Sequence, residues 1–253
     1  MKKNILLILM MSMTVSMAVA QRTKNKPVED KPASLPPAAT EAPAPAAPNA
    51  RDILGEHFAR KYSIAQRWGD YEVAKDALYD LIIEYPGNDS IIFTLAYFYF
   101  ENQKYPSCAM VCKDLLARNT KHLAALEMSA ISYENLNIND RALQNYESLF
   151  LLTNNNSNLY KMAVLQYELK RYEESMTNAD ILLTKPEADS LKVIFNDAKG
   201  APQEFKLRAA ILNLKGMVYK AQTDKVNARK FFEESIKLEP NFDDAKKNLA
   251  SLK

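Results

Sequence analysis

Residues 212–240 read LNLKGMVYKAQTDKVNARKFFEESIKLEP, and two of their small residues, Gly216 and Ala228, lie twelve positions apart. A large apolar residue lies one helical turn from each of them, Leu212 before the first and Phe232 after the second. Spacings of three and four residues place side chains on one face of a helix. The segment therefore predicts two helices that approach each other closely at the small residues.

The two small positions recur upstream at regular intervals. The position in the second helix is held by Ala74, Cys108, Ala142, Ser175 and Ala228, at intervals of 34, 34, 33 and 53 residues. The position in the first helix is held by Tyr62, Ala96, Ala130, Ala163 and Gly216, of which only Tyr62 is bulky. The last interval exceeds one repeat by nineteen residues, so the sequence predicts five units in register with one insertion.

This pattern resembles the tetratricopeptide repeat (TPR), a helix–turn–helix unit of about 34 residues with recurring small and aromatic positions. The resemblance implies an all-α fold, a right-handed superhelix (α-solenoid) with a concave inner face, within residues 51–253. The units are expected at about residues 55–88, 89–122, 123–155, 156–189 and 209–242. Residues 243–253 are expected to form a polar helix that caps the stack, with Ala245 and Leu249 turned inward.

The insertion, residues 190–208, separates the fourth unit from the fifth. Apolar residues alternate with polar ones in LKVIF and EFKL, and the intervening NDAKGAP is rich in turn residues, which predicts a β-hairpin from about 191 to 207. The alternative is a loop followed by a longer fifth first helix, which Pro202 allows from Gln203 onward.

Residues 1–20 have the composition of a secretory signal peptide. Lys2 and Lys3 precede the apolar run ILLILMMSMTV, and the small residues AVA end at Ala20, so cleavage is expected between Ala20 and Gln21. The run is short for a membrane span, although an uncleaved anchor is the alternative. Together with the repeats, this segment predicts an exported bacterial TPR protein, periplasmic or associated with the outer envelope.

Residues 21–50 contain seven prolines and no large aromatic side chain. Proline removes backbone hydrogen-bond donors, and such a composition buries too little apolar surface to form a core. We expect a disordered, semi-stiff linker between the signal peptide and the repeats, although a proline-rich ligand for another protein is possible.

The composition argues against several functional classes. Without Lys2 and Lys3 the formal charge falls from +2 to 0, so no electrostatic attraction to nucleic acid is expected. Neither His57 nor His122 lies in a cluster at metal-ligand spacing, and Gly-rich phosphate loops and catalytic serine motifs are missing from the sequence. We therefore expect no enzyme activity, catalytic residue, metal, cofactor or small-molecule substrate.

The two cysteines, Cys108 and Cys112, are four residues apart on one predicted helix. Export would favour their oxidation, but this spacing strains a disulfide, so buried free thiols are expected.

A protein or peptide is then the expected partner, and its identity is open. The resemblance implies that positions two, five, nine and twelve of each first helix line the concave side. The candidate binding residues at these positions are Phe93, Tyr97, Phe100, Glu127, Ile131, Glu134, Tyr160 and Tyr167. Such a groove would suit an apolar segment with a basic flank, unless the rings pack between neighbouring helices instead. The functional alternatives are an adaptor that binds a segment reversibly and a permanent structural or assembly subunit.

Overall fold

A computed structural model describes residues 49–197 and 200–252. The predicted signal peptide, its cut between Ala20 and Gln21, and the predicted linker up to residue 48 lie outside these ranges. The described helices are α1 (Ala50–Trp68), α2 (Tyr71–Glu84), α3 (Asp89–Glu101), α4 (Tyr105–Arg118), α5 (Leu123–Asn135), α6 (Asn139–Thr153), α7 (Asn156–Glu168), α8 (Tyr172–Leu183), α9 (Leu207–Ala221), α10 (Lys225–Leu238) and α11 (Asp243–Ala250). A short 3-10 turn (Pro186–Asp189) and two strands, β1 (Lys192–Asn196) and β2 (Pro202–Lys206), lie between α8 and α9.

The helices α1 to α10 form five consecutive helix–turn–helix units, as predicted, and neighbouring units pack in sequence order. Within the described ranges, no helix is both long enough and apolar enough to span a bilayer. The fold is the predicted helical solenoid with a small β insertion.

Every turn between the two helices of a unit has the same backbone geometry. One residue in each turn adopts a positive φ: Gly69 (71°), Gln103 (56°), Asn137 (56°), Lys170 (62°) and Thr223 (66°). The next residue donates its N–H five positions back, as from Asp70 to Ala65 (2.9 Å) and from Asp224 to Tyr219 (2.9 Å). This left-handed residue and its hydrogen bond end the first helix and reverse the chain.

The small residues lie where the two helices of a unit approach most closely. A Cβ atom at Gly216 would lie 2.5 Å from the ring of Phe232, which is fully buried. Ala74, Ala142 and Ala228 are also fully buried. Burial of one such phenylalanine stabilises the fold by about 3 kcal/mol, so close approach at the small residues contributes directly to stability.

The insertion forms the predicted antiparallel hairpin, with Val193 opposite Phe205 and Ile194 opposite Glu204. The alternative, a fifth first helix from Gln203, is wrong because that residue lies in β2 and α9 begins at Leu207.

The hairpin takes part in the core of the last unit. The Phe205 ring stacks on Phe242 with centroids 4.6 Å apart, and the Phe195 ring lies 4.8 Å from the same residue. Phe242 directly precedes α11, so the hairpin joins the fifth unit to its cap.

Helix α11 caps the stack as predicted. Ala245 is fully buried, and Leu249 is half-buried against the cluster that contains Phe232. The side-chain amide of Asn248, also on α11, donates a hydrogen bond to the Asn213 side chain of α9 (3.0 Å). The outward side carries Lys246 and Lys247, which are exposed to solvent.

Candidate binding groove

Three aromatic residues of α3 form the centre of the candidate groove. Phe93, Tyr97 and Phe100 are spaced by four and three residues, which places them along one side of the helix. Tyr97 is 49% exposed, and the two phenylalanines are half-buried. The groove therefore presents partly exposed rings to solvent.

Neighbouring side chains hold the two phenylalanine rings in place. The Phe93 ring lies 5.1 Å from that of His122, whose Nδ1 accepts the Ala125 N–H at the start of α5. The Phe100 ring meets Tyr105 edge-on at 6.0 Å. Such contacts fix the ring positions before any partner binds, which lowers the entropy cost of binding.

Tyr97 lies next to a carboxylate. Its pKa is raised by partial burial and by the charge of Glu101. The exposed ring therefore carries a negatively charged neighbour at its polar end.

A second group of polar residues lies between α5 and α7. The Glu134 carboxylate accepts hydrogen bonds from the Tyr146 hydroxyl and from Lys161 Nζ, the latter at 2.9 Å. The Glu168 carboxylate accepts from Asn139 (2.7 Å), and its pKa is raised by burial and by the charge of Glu134. Lys161 offsets only part of this negative charge, so the region attracts cations.

The remaining predicted residues differ in exposure. Glu127 is exposed, and Ile131 and Tyr167 are half-buried, with the Tyr167 ring 5.9 Å from that of Tyr172. Tyr160 is only 9% exposed and belongs to the central apolar cluster. The prediction that Tyr160 lines the groove is therefore corrected. Its ring packs in the core, which was the alternative for these aromatic residues.

At the C-terminal end of the stack, α11 and the residue after it contact the concave positions of α9. Asn213 is buried under α11, and Lys220 of α9 donates to Ser251 just after α11 (2.6 Å). The first unit has exposed Ala59, Ser63 and Gln66 at the same positions. The apolar centre of the groove is therefore confined to the second, third and fourth units.

Sequence reasoning missed Glu101, Lys161 and Glu168. Glu101 could have been found, because it directly follows Phe100 on the same helix. The other two act through contacts between different units, and such contacts leave no spacing pattern in the sequence.

The two cysteines lie in the core of the second unit. Cys108 and Cys112 are free and buried, with their sulfur atoms 4.0 Å apart. The hydrogen bond with Cys108, together with burial, raises the pKa of Cys112, which disfavours its thiolate. Across residues 49–197 and 200–252, no three His, Cys, Asp or Glu residues are grouped to hold a metal ion.

Comparisons with known proteins establish the fold. No protein-family model matches the chain, and no curated protein matches its sequence. A crystal structure of a tetratricopeptide repeat protein from Parabacteroides merdae ATCC 43184 is similar at 18% identity with a TM-score of 0.59, covering 79% of this chain and 72% of that one.

Two further structures are similar. YrrB, described as a TPR protein with an unusual peptide-binding site, is 10% identical with a TM-score of 0.59, over 79% of this chain and 97% of that one. MamA is 11% identical with a TM-score of 0.57, over 75% and 93%. The chain therefore has the TPR fold.

Proposed function

We propose that this protein is a non-catalytic interaction scaffold that holds a segment of a partner protein along its concave face. The observation that carries the proposal is the strip of partly exposed rings on α3, Phe93, Tyr97 and Phe100. Glu101 follows Phe100 directly, and Glu134 holds the position of Phe100 in the next unit. A fold built from stacked helix pairs offers an extended surface of this kind.

The chemistry of the groove selects the kind of segment. Aromatic rings that are partly exposed gain most from an apolar side chain that covers their exposed part. Glu127 and Glu134 lie on α5 beside this strip, and Glu168 lies on α7. An apolar segment flanked by lysine or arginine therefore fits the groove best.

The comparisons are consistent with this proposal. YrrB, which shares the fold, is described as having a peptide-binding site. The signal-peptide pattern of residues 1–20 supports a role in the periplasm or at the outer envelope. N-terminal sequencing of the envelope form should find Gln21 first, and a chain that begins at Met1 would contradict export with cleavage.

The groove can be tested with a peptide library displayed on phage and selected on the purified protein. Enriched peptides should combine apolar residues with lysine or arginine. Loss of one ring from a desolvated groove costs about 2 kcal/mol, so Tyr97→Ala combined with Tyr167→Ala should weaken an enriched peptide by roughly three decades in Kd if the effects add.

A matched control separates binding from folding. Tyr71 is 51% exposed but lies on a second helix, α2, and its ring contacts Phe98 at 6.3 Å. Tyr71→Ala should leave peptide affinity unchanged. If Tyr97→Ala lowers the thermal midpoint as much as it weakens binding, the ring is part of the core. If affinity is unchanged in the double variant, the segment binds elsewhere.

A permanent assembly subunit is the second candidate function. It is favoured by the exposed apolar side chains of α1, Ile53 and Trp68, which a stable neighbour could cover. A complex of fixed stoichiometry that survives high salt would support it, whereas binding of free peptides with fast exchange supports the adaptor.

A further inference from the structure

The first helix differs from the helices at equivalent places in the stack. Helix α1 has 19 residues, whereas α3, α5 and α7 have 13 each. The additional length lies mainly at its N-terminal end, where Ile53 and Leu54 are exposed. Trp68, the only tryptophan of the chain, is 78% exposed at the other end.

Among the residues that the structure describes, α1 also lacks a neighbour that every later first helix has. In the second to fifth units, three positions face the second helix of the preceding unit, as shown by Lys215, which pairs with Asp180 of α8. These positions are buried or half-buried in all four units: Ile91, Leu95, Phe98, Ala125, Ser129, Ser132, Asn158, Met162, Leu165, Ile211, Lys215 and Val218.

The equivalent residues of α1 are His57, Lys61 and Ile64, and His57 and Ile64 are exposed. With Ile53 and Trp68 they follow one side of the helix at spacings of three and four. We call these five residues the end face. It is a stacking surface on which the described part of the chain places no helix.

The opposite end of the stack cannot cover this face in a second copy. Helix α11 occupies the place of a next first helix there, and Lys246 and Lys247 are exposed on it. Lys246 and Lys247 pair with Asp243 and Asp244 of the same helix (3.6 and 3.2 Å), so docking of this cap on the end face would bury two ion pairs against Ile53, Ile64 and Trp68. The end face of a second copy offers side chains of matching chemistry, with Ile53, Ile64 and Trp68 all exposed.

We propose that two copies of this chain pair through their end faces, with α1 antiparallel to α1 of the second copy about a two-fold axis. Such an interface must be self-complementary, because the same patch serves both copies. Ile53 and Trp68 are equally distant from the midpoint between residues 60 and 61, and so are His57 and Ile64. Ile53 of one copy therefore lies against Trp68 of the second, and His57 lies against Ile64.

The charges of α1 are compatible with this arrangement. Lys61, next to the axis, is already paired with Asp76 (2.5 Å) and Asp80 (3.1 Å) of its own chain. Glu56, which already pairs with Arg60 of its own helix, and Arg67 lie on one flank of the end face. Antiparallel packing brings Glu56 of one copy to about 3 Å, measured along the helix axis, from Arg67 of the second.

Residues 21–48 precede α1 in the sequence and lie outside the described ranges. In the later units the covering element is a helix, and residues 21–48 contain seven prolines, which disfavour helices. Occupation by this segment is nevertheless a distinct outcome of the experiment below.

The experiment measures mass by light scattering and the emission of Trp68 over a dilution series of the purified protein. We expect twice the monomer mass and a blue-shifted emission at high concentration, with both reverting on dilution. Ile53→Glu combined with Ile64→Glu places unpaired carboxylates in the interface and should raise the dimer Kd on the order of 100-fold or more.

The matched control is Leu151→Glu combined with Val226→Glu. These residues are 85% and 80% exposed on α6 and α10, so the control adds the same charge outside the end face and should leave the dimer unchanged. Unchanged far-ultraviolet circular dichroism of both variants confirms that each is folded.

Cysteine cross-linking tests the register. A mixture of Ile53→Cys and Trp68→Cys chains should form a disulfide-linked dimer, whereas Ile53→Cys alone should not, because the two copies of residue 53 lie about 22 Å apart. The native thiols do not interfere, since both are buried.

Three results would overturn the proposal. They are a monomer with exposed Trp68 at every dilution, a dimer that both double variants leave intact, and a monomer whose Trp68 is shielded until residues 21–48 are removed. The last result would assign the face to the chain's own N-terminal segment.

Discussion

The first helices of the first and last units, α1 and α9, occupy the same place in the repeat but differ in burial. Ten of the 15 residues of α9 are buried, whereas α1 buries only Gly55 and Ala65 of its 19. Helix α9 contacts α8, α10 and the hairpin, and α11 reaches it through Asn248. Within residues 49–197 and 200–252, α1 packs chiefly against α2.

This difference follows the number of neighbours as well as the composition, since six of the 19 residues of α1 are charged against three of the 15 residues of α9. Each unit contacts only the units beside it, so its stability is approximately its own contribution plus that of its interfaces. We therefore expect the last unit, with its hairpin and cap, to unfold last and α1 to open first. Four changes test this comparison.

The largest effect is expected from removal of the cap. A chain that ends at Pro240 loses Phe242 and Leu252, both buried, and leaves α9 with an open side like that of α1. Truncating two buried side chains of this size costs more than about 5 kcal/mol. Urea unfolding followed by circular dichroism should show this loss, and unchanged stability would mean that the cap does not stabilise the last unit.

The next effect concerns the hairpin. Phe205 is buried against Phe242 and Ala209, so Phe205→Ala should lower the free energy of unfolding by about 3–4 kcal/mol. Ile194 points to the opposite side of the hairpin, as its pairing with Glu204 shows. Ile194→Ala, the control, should change stability by less than about 0.5 kcal/mol. Equal effects would show that the hairpin packs differently.

A smaller effect compares the same substitution at the two ends. Alanine at Gly216 would press its Cβ on the fully buried Phe232 ring, so Gly216→Ala should destabilise the fold by about 2 kcal/mol. At Gly55 the obstacle is the far end of Tyr85, a half-buried side chain that can move. Alanine favours a helix over glycine by about 1 kcal/mol, so Gly55→Ala should be nearly neutral.

Parallel thermal melts of the two alanine variants provide the measurement. A loss at Gly55 as large as that at Gly216 would show that the first unit is packed as rigidly as the last.

The smallest effect is electrostatic. Arg208 at the start of α9 donates two hydrogen bonds to Asp189, from Nε (2.5 Å) and Nη2 (3.0 Å), and this lowers the pKa of the Asp189 carboxyl. The pKa of Asp189 is lower in the folded than in the unfolded chain. The ion pair therefore stabilises the fold fully at pH values above the ordinary aspartate pKa, and this stabilisation is lost as the pH falls through the folded pKa.

Carboxyl chemical shifts in an NMR titration can follow this group. Arg208→Ala should return the Asp189 pKa toward its ordinary range. An unchanged titration would mean that the ion pair does not form in solution.

The repeats could be predicted from sequence because close helix packing requires small residues, and small residues can be recognised at fixed intervals. The bulky exception, Tyr62, is accommodated by a smaller partner, since Leu78 stands where the last unit has Phe232. Gly216 and Phe232 make the reverse combination. Alternation likewise predicted the hairpin, because strands place successive residues on opposite faces.

Burial of individual groove residues could not be predicted in the same way. Tyr160 lies at a position expected to be open, but it belongs to one apolar cluster with Leu207 and Ile211 of α9, which follows the insertion. The ring contact between Phe205 and Phe242 joins residues far apart in sequence, so no local pattern indicates it. The open side of α1 could not be predicted either, because only the structure of the later units shows that a preceding second helix packs against this side.

The turns within the units have a consequence for protein engineering. Four of the five left-handed turn residues are not glycine, and Thr223 is even β-branched. A left-handed conformation costs most side chains about 1–2 kcal/mol, and the shared hydrogen bond five residues back imposes it regardless of residue type. Glycine at Gln103, Lys170 and Thr223 is therefore a route to a more heat-resistant scaffold that leaves the groove residues and the end face untouched.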